Sequence, residues 1–133
     1  MSLSFKLTSQ NGEAIEAEAD FVKVPGQVGE WGIVENHSAS LVQLKPGHIL
    51  VQQGKETDVY FVPDGLAHVL PDSVSVLCSD FQSASEIDQD HSVKTKNEML
   101  KILEESEDET ERSEAEARLN RAEERLYICE NLK

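Results

Sequence analysis

Hydrophobic and polar residues alternate over short stretches throughout the first 84 residues, as expected for half-buried β-strands. Turn-forming pairs such as Asn11-Gly12, Pro46-Gly47 and Gln53-Gly54 separate these stretches at regular spacing. The predicted strands cover residues 4–8, 15–19, 20–24, 48–52, 58–62, 67–70 and 73–77. Many short strands with such punctuation predict an all-β sandwich or barrel. The predicted inward-facing residues are Phe5, Leu7, Val22, Val24, Ile49, Val51, Tyr60, Val62, Val74 and Val76.

The hydrophobic period becomes helical in the second half. Ser85 is the predicted N-cap of a first helix that runs to about Leu103, because acidic residues follow it in the first turn. A second helix is predicted from one apolar stripe at helical spacing, formed by Ala115, Leu119, Ala122, Leu126 and Cys129. The facing stripe, Ile87, Leu100 and Leu103, is poorer. An acidic turn over residues 104–109 separates the two helices, and we expect a hairpin of marginal stability.

These patterns predict an α+β chain with two domains. Residues 1–84 form an N-terminal all-β sandwich, and residues 85–133 form a C-terminal antiparallel two-helix hairpin. Charge supports the boundary, since the first segment carries 15 charged residues and the second carries 23.

Composition limits the possible partners. The formal net charge of −14 argues against nucleic-acid binding and against docking on anionic lipid, both of which need clustered Lys and Arg. No run approaches the roughly 20 apolar residues of a membrane helix. We therefore expect no direct lipid insertion, and any membrane association would come through a protein partner. Cys78 and Cys129 lack C-x-x-C spacing, which predicts free thiols in a reducing compartment, with Cys78 buried.

The glycine-rich stretch 24–47 is a candidate contact surface. Its glycines and Pro25 surround Trp31 and predict tight turning of the chain. A tryptophan on such a turn either contacts a partner or folds back to cap the sandwich, and residue chemistry alone leaves both open. His37 follows the glycines without a nearby nucleophile or orienting acid, so we expect it to bond turn backbone rather than act as a catalytic base. His48, His68 and His91 lack metal-ligand spacing, so no zinc site is predicted.

The same stretch resembles the epsilon subunit of F-type ATP synthases, which corresponds to the mitochondrial delta subunit. The resemblance rests on the pattern PG-x-x-GE-x-GI from Pro25, a following His and Ala, and Leu-Lys-Pro-Gly at 44–47. It continues through residues 64–69 and the closing strand at 74–77, so that residues 1–84 match in order and spacing.

The resemblance implies a non-catalytic central-stalk subunit that couples rotation of the rotor ring, through the gamma subunit, to ATP synthesis. It implies that the turn carrying Gly29, Glu30, Trp31 and Gly32, with His37 nearby, faces the polar loops of the ring of c subunits. It further implies that the second helix reaches an acidic segment of the beta subunits in the alpha/beta catalytic head and acts as a brake. The candidate residues for that contact are Arg118, Arg121 and Arg125, although a solvated, salt-bridged helix face is the interpretation that residue chemistry favours. Because the turn at 104–109 is acidic, we expect the brake to be weak.

No cofactor is expected. Some bacterial relatives bind ATP through an Ile/Leu-Asp-x-x-Arg-Ala motif, and the matching positions here are Ile87, Asp88, His91 and Ser92. A mostly neutral His cannot replace the bidentate guanidinium, and nearby acids would repel a polyphosphate.

One alternative function comes from a different class, a free-standing sandwich that binds a small ligand and dimerises through its helices. The low aromatic content, 5%, disfavours such a pocket. The N-terminus has no transit-peptide pattern, which favours the cytoplasmic face of a bacterial inner membrane over the matrix side of a mitochondrial inner membrane.

Overall fold

The computed structural model describes residues 3–132, and within this range ten β-strands precede a short 3-10 helix and two α-helices. The chain divides between Ser83 and Ala84 into two compact units. The first unit contains β1 (Leu3–Ser9), β2 (Ala14–Ala19), β3 (Phe21–Gly26), β4 (Gly29–Ile33), β5 (Ser40–Leu44), β6 (Gly47–Gln53), β7 (Glu56–Val62), β8 (Gly65–Leu70), β9 (Ser73–Cys78) and β10 (Gln82–Ser83). The second contains the 3-10 helix (Ala84–Glu86), α1 (Gln89–Glu105) and α2 (Glu109–Asn131).

The strands of the first unit form one sheet that wraps into a sandwich. Hydrogen-bonded neighbours follow the order β10-β7-β6-β3-β5-β8-β9-β1-β2, and β4 pairs with β3. Pairing is antiparallel except between β1 and β9, which run parallel from Ser4↔Ser73 to Ser9↔Cys78. Strands from both halves of this path send side chains into a single core, so the sheet must close over itself.

Alternation along the strands places the core. In β1, Leu3, Phe5 and Leu7 are buried while Ser4 and Lys6 are exposed. The predicted inward-facing set is confirmed except at Tyr60, which is half-buried. Its ring packs edge-on against Phe81 at 6.3 Å between centroids.

Three strands, β4, β5 and the two-residue β10, are missing from the sequence prediction. In β4 only Ile33 is buried, because glycines interrupt the alternation, and its position is set by pairing with β3. In β5, Val42 and Leu44 do alternate inward, but the strand has only five residues beside a glycine-rich segment. Residues 24–47 therefore form a β-hairpin and a third strand rather than an extended set of turns.

The predicted start of the first helix is wrong. Asp88, not Ser85, is the N-cap of α1, and its carboxylate accepts a hydrogen bond from the backbone N–H of His91 at 3.2 Å. A buried Ile87 and a 3-10 turn that bonds the Ile87 N–H to the Ala84 carbonyl precede the cap. Ser85 and Glu86 belong to this 3-10 turn and not to α1, so the α-helix begins later along the chain than predicted.

The buried face of α1 differs from the predicted stripe. Leu100 is exposed, whereas Met99 and Ser92 are buried. Ser92 tolerates burial because its hydroxyl donates to the Asp88 carbonyl at 3.0 Å. Because a polar residue lies on the buried face of α1, counting apolar positions does not identify which face is buried.

The buried face of α2 is confirmed at Ala115, Leu119, Ala122 and Leu126. Cys129, predicted to extend this stripe, is only half-buried, and the neighbouring Ile128 is fully buried instead. The Cys129 sulfur lies 4.0 Å from the Ile87 carbonyl oxygen. The last turn of α2 therefore lies beside the segment that precedes α1, which a single-face pattern does not reveal.

Both cysteines are free thiols, and their environments predict different reactivity. Burial raises the pKa of the Cys78 thiol to about 11, and the nearby carboxylates of Asp64 and Asp80 add to the shift. Because the thiolate is the reactive form, maleimide at about pH 8 should modify Cys78 at least ~100-fold more slowly in the native chain than in urea. Peptide mass spectrometry over time measures this rate, with half-buried Cys129 as the internal control. Equal native and unfolded rates at Cys78 would contradict its burial.

Candidate functional site

The glycine-rich stretch forms a tight hairpin between β3 and β4. Val24 pairs with Trp31, and Gly26 pairs with Gly29, so only Gln27 and Val28 form the turn. The Val28 side chain is 100% exposed at this tip. Because valine gains nothing from full exposure to water, the tip is a candidate contact point that the sequence pattern did not single out.

Trp31 lies along this hairpin with one side packed and the other open. Its side chain is 36% exposed. A Cβ atom added at Gly26 would lie 2.9 Å from Trp31 Cδ1 and 2.6 Å from the Gly29 carbonyl oxygen. Glycine at position 26 therefore lets the indole approach the backbone. The ring folds onto its own hairpin and still presents an edge to solvent, so contact with a partner stays a prediction.

The other predicted turn residues lie on the same hairpin. Glu30 is exposed and its carboxylate lies 3.6 Å from the Lys23 ammonium, an exposed pair of small energetic value. A Cβ added at Gly32 would lie 3.0 Å from the Phe21 ring, so a larger residue at 32 would disturb packing. The Gly29 backbone has φ of +156°, which side-chain-bearing residues rarely adopt, while the space beside it is open.

His37 joins this group from the loop after β4. Its ring centroid is 6.0 Å from that of Trp31. The protonated Nδ1 donates to the Ser38 carbonyl oxygen at 2.8 Å, which confirms that His37 bonds turn backbone. The preceding Asn36 adopts a left-handed φ of 67°, and its N–H donates to the Pro71 carbonyl at 2.7 Å. The structure thus brings Gly29, Glu30, Trp31, Gly32 and His37 together in what we call the hairpin surface.

A second surface, which sequence reasoning missed, lies on the outer face of the sandwich. Leu41, Leu66 and Leu77, here called the leucine patch, are 67%, 42% and 55% exposed. Leu66 and Leu77 are direct cross-strand partners, and Leu41 on β5 pairs with His68 on β8. The three leucines line a shallow depression together with Lys6, Thr8, His68, Ser75 and Val76.

The signal for the leucine patch is present in the sequence. Once Ala67 and Val76 are placed inward, alternation puts Leu66 and Leu77 on the solvent side of β8 and β9. Outward positions on neighbouring strands are polar, as at Lys6 and Ser75. Adjacent outward leucines therefore make this patch a candidate contact surface.

The predicted arginine row lies on α2, in the second unit. Arg118 and Arg121 are exposed, and Arg125 is half-buried. Neither Arg118 nor Arg121 makes an ion pair with an acidic residue in the part of the chain that the structure describes. The two residues are thus exposed, as predicted for a solvated helix face, but they do not form the predicted ion pairs within residues 3–132.

Neither a metal-binding cluster nor a membrane-spanning helix is present among residues 3–132. No group of three or more His, Cys, Asp or Glu residues in that range is placed to hold a metal ion. No helix in the same range combines the length and apolarity needed to cross a membrane. The hairpin surface, the leucine patch and the exposed pair of arginines on α2 are the candidate contact features.

Comparison with known families gives a match over the first unit and relatives over the whole chain. The family model described as "ATP synthase, Delta/Epsilon chain, beta-sandwich domain" matches residues 2–84. The ATP synthase epsilon chain of Acidithiobacillus ferridurans is 35% identical over 89 residues, covering 67% of this chain and 63% of the relative. The alignment thus spans less than two thirds of that relative. The ATP synthase epsilon chain 1 of Methylococcus capsulatus is 31% identical over 132 residues, covering 98% of this chain and 94% of the relative.

Solved structures of similar fold come from rotary assemblies. A chain in the Euglena gracilis mitochondrial ATP synthase (OSCP/F1/c-ring) aligns with a TM-score of 0.83 and 27% identity, over 92% of this chain and 78% of that one. A chain in the central stalk/c-ring of the Tetrahymena thermophila mitochondrial enzyme aligns with a TM-score of 0.66 over 97% of both chains. Its identity is 14%, so it shows the fold alone.

Proposed function

The chain belongs to the delta/epsilon family and is a central-stalk subunit of an F-type ATP synthase, and from this premise we propose that it is a non-catalytic adaptor with separate surfaces for its neighbours. The sandwich would couple rotation of the c ring, through the gamma subunit, to ATP synthesis in the alpha/beta head. In a bacterium it would work on the cytoplasmic face of the inner membrane.

The observation that carries this proposal is the leucine patch, which we assign to the gamma subunit. An adaptor in a rotating stalk needs a permanent attachment, and burial of exposed leucine side chains supplies one at about 25 cal/mol per Å² of apolar area. Lys6 and His68 border the leucines, while Glu16 and Glu18 on β2 lie beyond Lys6 and Ser4. The matching surface on gamma would be an apolar segment with basic residues that face Glu16 and Glu18 on β2. The net charge of −14 on the whole chain also favours a basic partner surface.

The hairpin surface would face the polar loops of the c ring. Its tip combines the fully exposed Val28 with the acidic Glu30 and the open edge of Trp31. An aromatic edge and glycines that expose the backbone suit contacts with polar loops. They provide contact area and backbone hydrogen-bonding groups, and no long flexible side chain has to be ordered on binding.

The sandwich between these surfaces would transmit torque because it is stiff. Its strands are cross-bonded along one continuous sheet, and the parallel β1–β9 pair links the start of the unit to its end. Close-packed cores have low compressibility, so a displacement at one surface reaches the other with little loss.

The two-helix hairpin would be a weak brake on ATP hydrolysis. Exposed Arg118 and Arg121 can meet an acidic segment of the beta subunits, with Arg125 beside them. The acidic residues at 104–109 would repel the same segment. ATP would not bind usefully at the start of α1, because the Asp88 carboxylate already caps the helix N-terminus where a phosphate would have to lie.

The double variant Leu66→Glu, Leu77→Glu tests the gamma assignment. It places two charges at the centre of the patch, and we expect the affinity for purified gamma to fall by at least ~100-fold, measured by calorimetry or co-purification. Leu100→Glu on α1 is the matched control, since Leu100 is 44% exposed and Leu66 is 42% exposed. The control should change the affinity by less than about twofold.

The outcomes separate two failures. If the wild-type chain does not bind gamma at all, the proposed function is wrong. If the wild-type chain and the folded double variant bind gamma equally well, only the assignment of the leucine patch is wrong. Circular dichroism and a thermal melt establish that the double variant is folded.

Removal of residues 85–133 tests the brake. A weak brake predicts that ATPase activity of the assembled head rises by less than about twofold, since few favourable contacts are lost. Activation of several-fold, at equal incorporation of the truncated chain, would contradict a weak brake.

A further inference from the structure

Arg112 crosses the connection between the two helices. The connection contains only Ser106, Glu107 and Asp108, between the end of α1 and the start of α2. The guanidinium Nη1 of Arg112 donates to the carbonyl of Leu103 and to the carbonyl of Ser106, the latter at 3.1 Å. One side chain in the first turn of α2 is thus bonded to the last turn of α1.

Arg112 adds a charged donor at the C-terminus of α1, where the backbone supplies the Ser106 N–H. The last four carbonyls of a helix have no intrahelical donor, and together they form the negative end of its dipole. The Ser106 N–H donates to the Ile102 carbonyl at 2.8 Å, and the Arg112 guanidinium donates to the Leu103 carbonyl. No basic residue lies in the last turn of α1 itself, which instead ends in Glu104 and Glu105.

Arg112 is the one basic residue that the sequence places close to this acidic turn. Between Lys101 and Arg118 the sequence has no other basic residue, while the turn carries five acids: Glu104, Glu105, Glu107, Asp108 and Glu109. The apolar cluster beside the turn is small, with Met99, Ala115 and Leu119 buried and Ile102 and Leu103 packed against them. The Arg112 hydrogen bonds therefore add to a small apolar cluster at this end of the hairpin.

We propose that Arg112 is a hydrogen-bonded clamp that holds the two-helix hairpin closed, and that opening of the hairpin begins when this clamp is released. The guanidinium stays charged at all physiological pH values, so the clamp does not respond to protons. It responds to competing anions, because a carboxylate binds a guanidinium more strongly than a neutral carbonyl does. This inference concerns the chain alone and does not depend on the proposed function.

Hydrogen exchange of the full-length chain tests the clamp. We expect Arg112→Gln to accelerate exchange of the amides from Ser106 to Ser113 by about tenfold or more, and to leave amides from Ala122 to Ile128 within about twofold of wild type. Arg112→Lys keeps the positive charge but loses the planar guanidinium. The amides from Ser106 to Ser113 should therefore exchange at a rate between those of the wild type and Arg112→Gln. Arg118→Gln, which removes an exposed arginine of the same helix, should match wild type.

A salt series separates the clamp from simple charge neutralisation. About 0.5 M NaCl screens the repulsion among the five acids but leaves short hydrogen bonds in place. The clamp predicts that the Arg112→Gln effect persists at this salt concentration. The proposal is overturned if Arg112→Gln exchanges like wild type, if the effect vanishes in salt while Arg112→Lys matches wild type, or if all of α2 accelerates equally.

Discussion

The single apolar core shared by all parts of the wrapped sheet determines the rest of the first unit. Its register is fixed by cross-strand pairs such as Ala67↔Val76 and Val69↔Val74, whose members are all buried. A slip of one residue would exchange the two faces of a strand and move the core residues into water. The same register forces Leu66 and Leu77 outward on adjacent strands, so the leucine patch is a direct consequence of how the core is built. Exposed leucines on adjacent strands are a candidate surface for burial against another subunit.

The two units differ in the size of the apolar clusters that stabilise each of them. The sandwich has a core drawn from nine strands, whereas the apolar cluster near the turn of the hairpin centres on Met99, Ala115 and Leu119. Opening a sandwich strand would break both ladder hydrogen bonds and core packing, whereas separating the two helices breaks side-chain packing without breaking a backbone ladder. A rigid first unit suits transmission of torque, and a less strongly packed second unit suits regulation. The Arg112 clamp matters in this context because polar bonds make up a larger share of what stabilises a small core.

Much of the fold follows from the sequence, and the parts that do not have identifiable causes. Strands with clean alternation, such as β1 and β9, are predicted because burial selects every second residue. The β4 strand could not be predicted that way, because Gly32 is selected by close approach to Phe21 and Gly29 by its backbone conformation, rather than by burial. Similarly, Ser92 in the buried face of α1 is compatible with burial only through its bond to Asp88, which no periodicity encodes. The candidate residues of the hairpin surface came from residue type and resemblance, whereas the leucine patch needed the strand register.

The central claim is that a rigid, non-catalytic sandwich meets two different polypeptides through two separate surfaces. Photo-crosslinking within the membrane-bound enzyme tests it most directly, with a photoreactive amino acid placed singly at Val28, Leu66 or Leu100. The account predicts cross-links from position 28 to the c subunits and from position 66 to gamma, and neither product from position 100. Cross-links from positions 28 and 66 to the same subunit, or none from either in an intact, coupled enzyme, would contradict it.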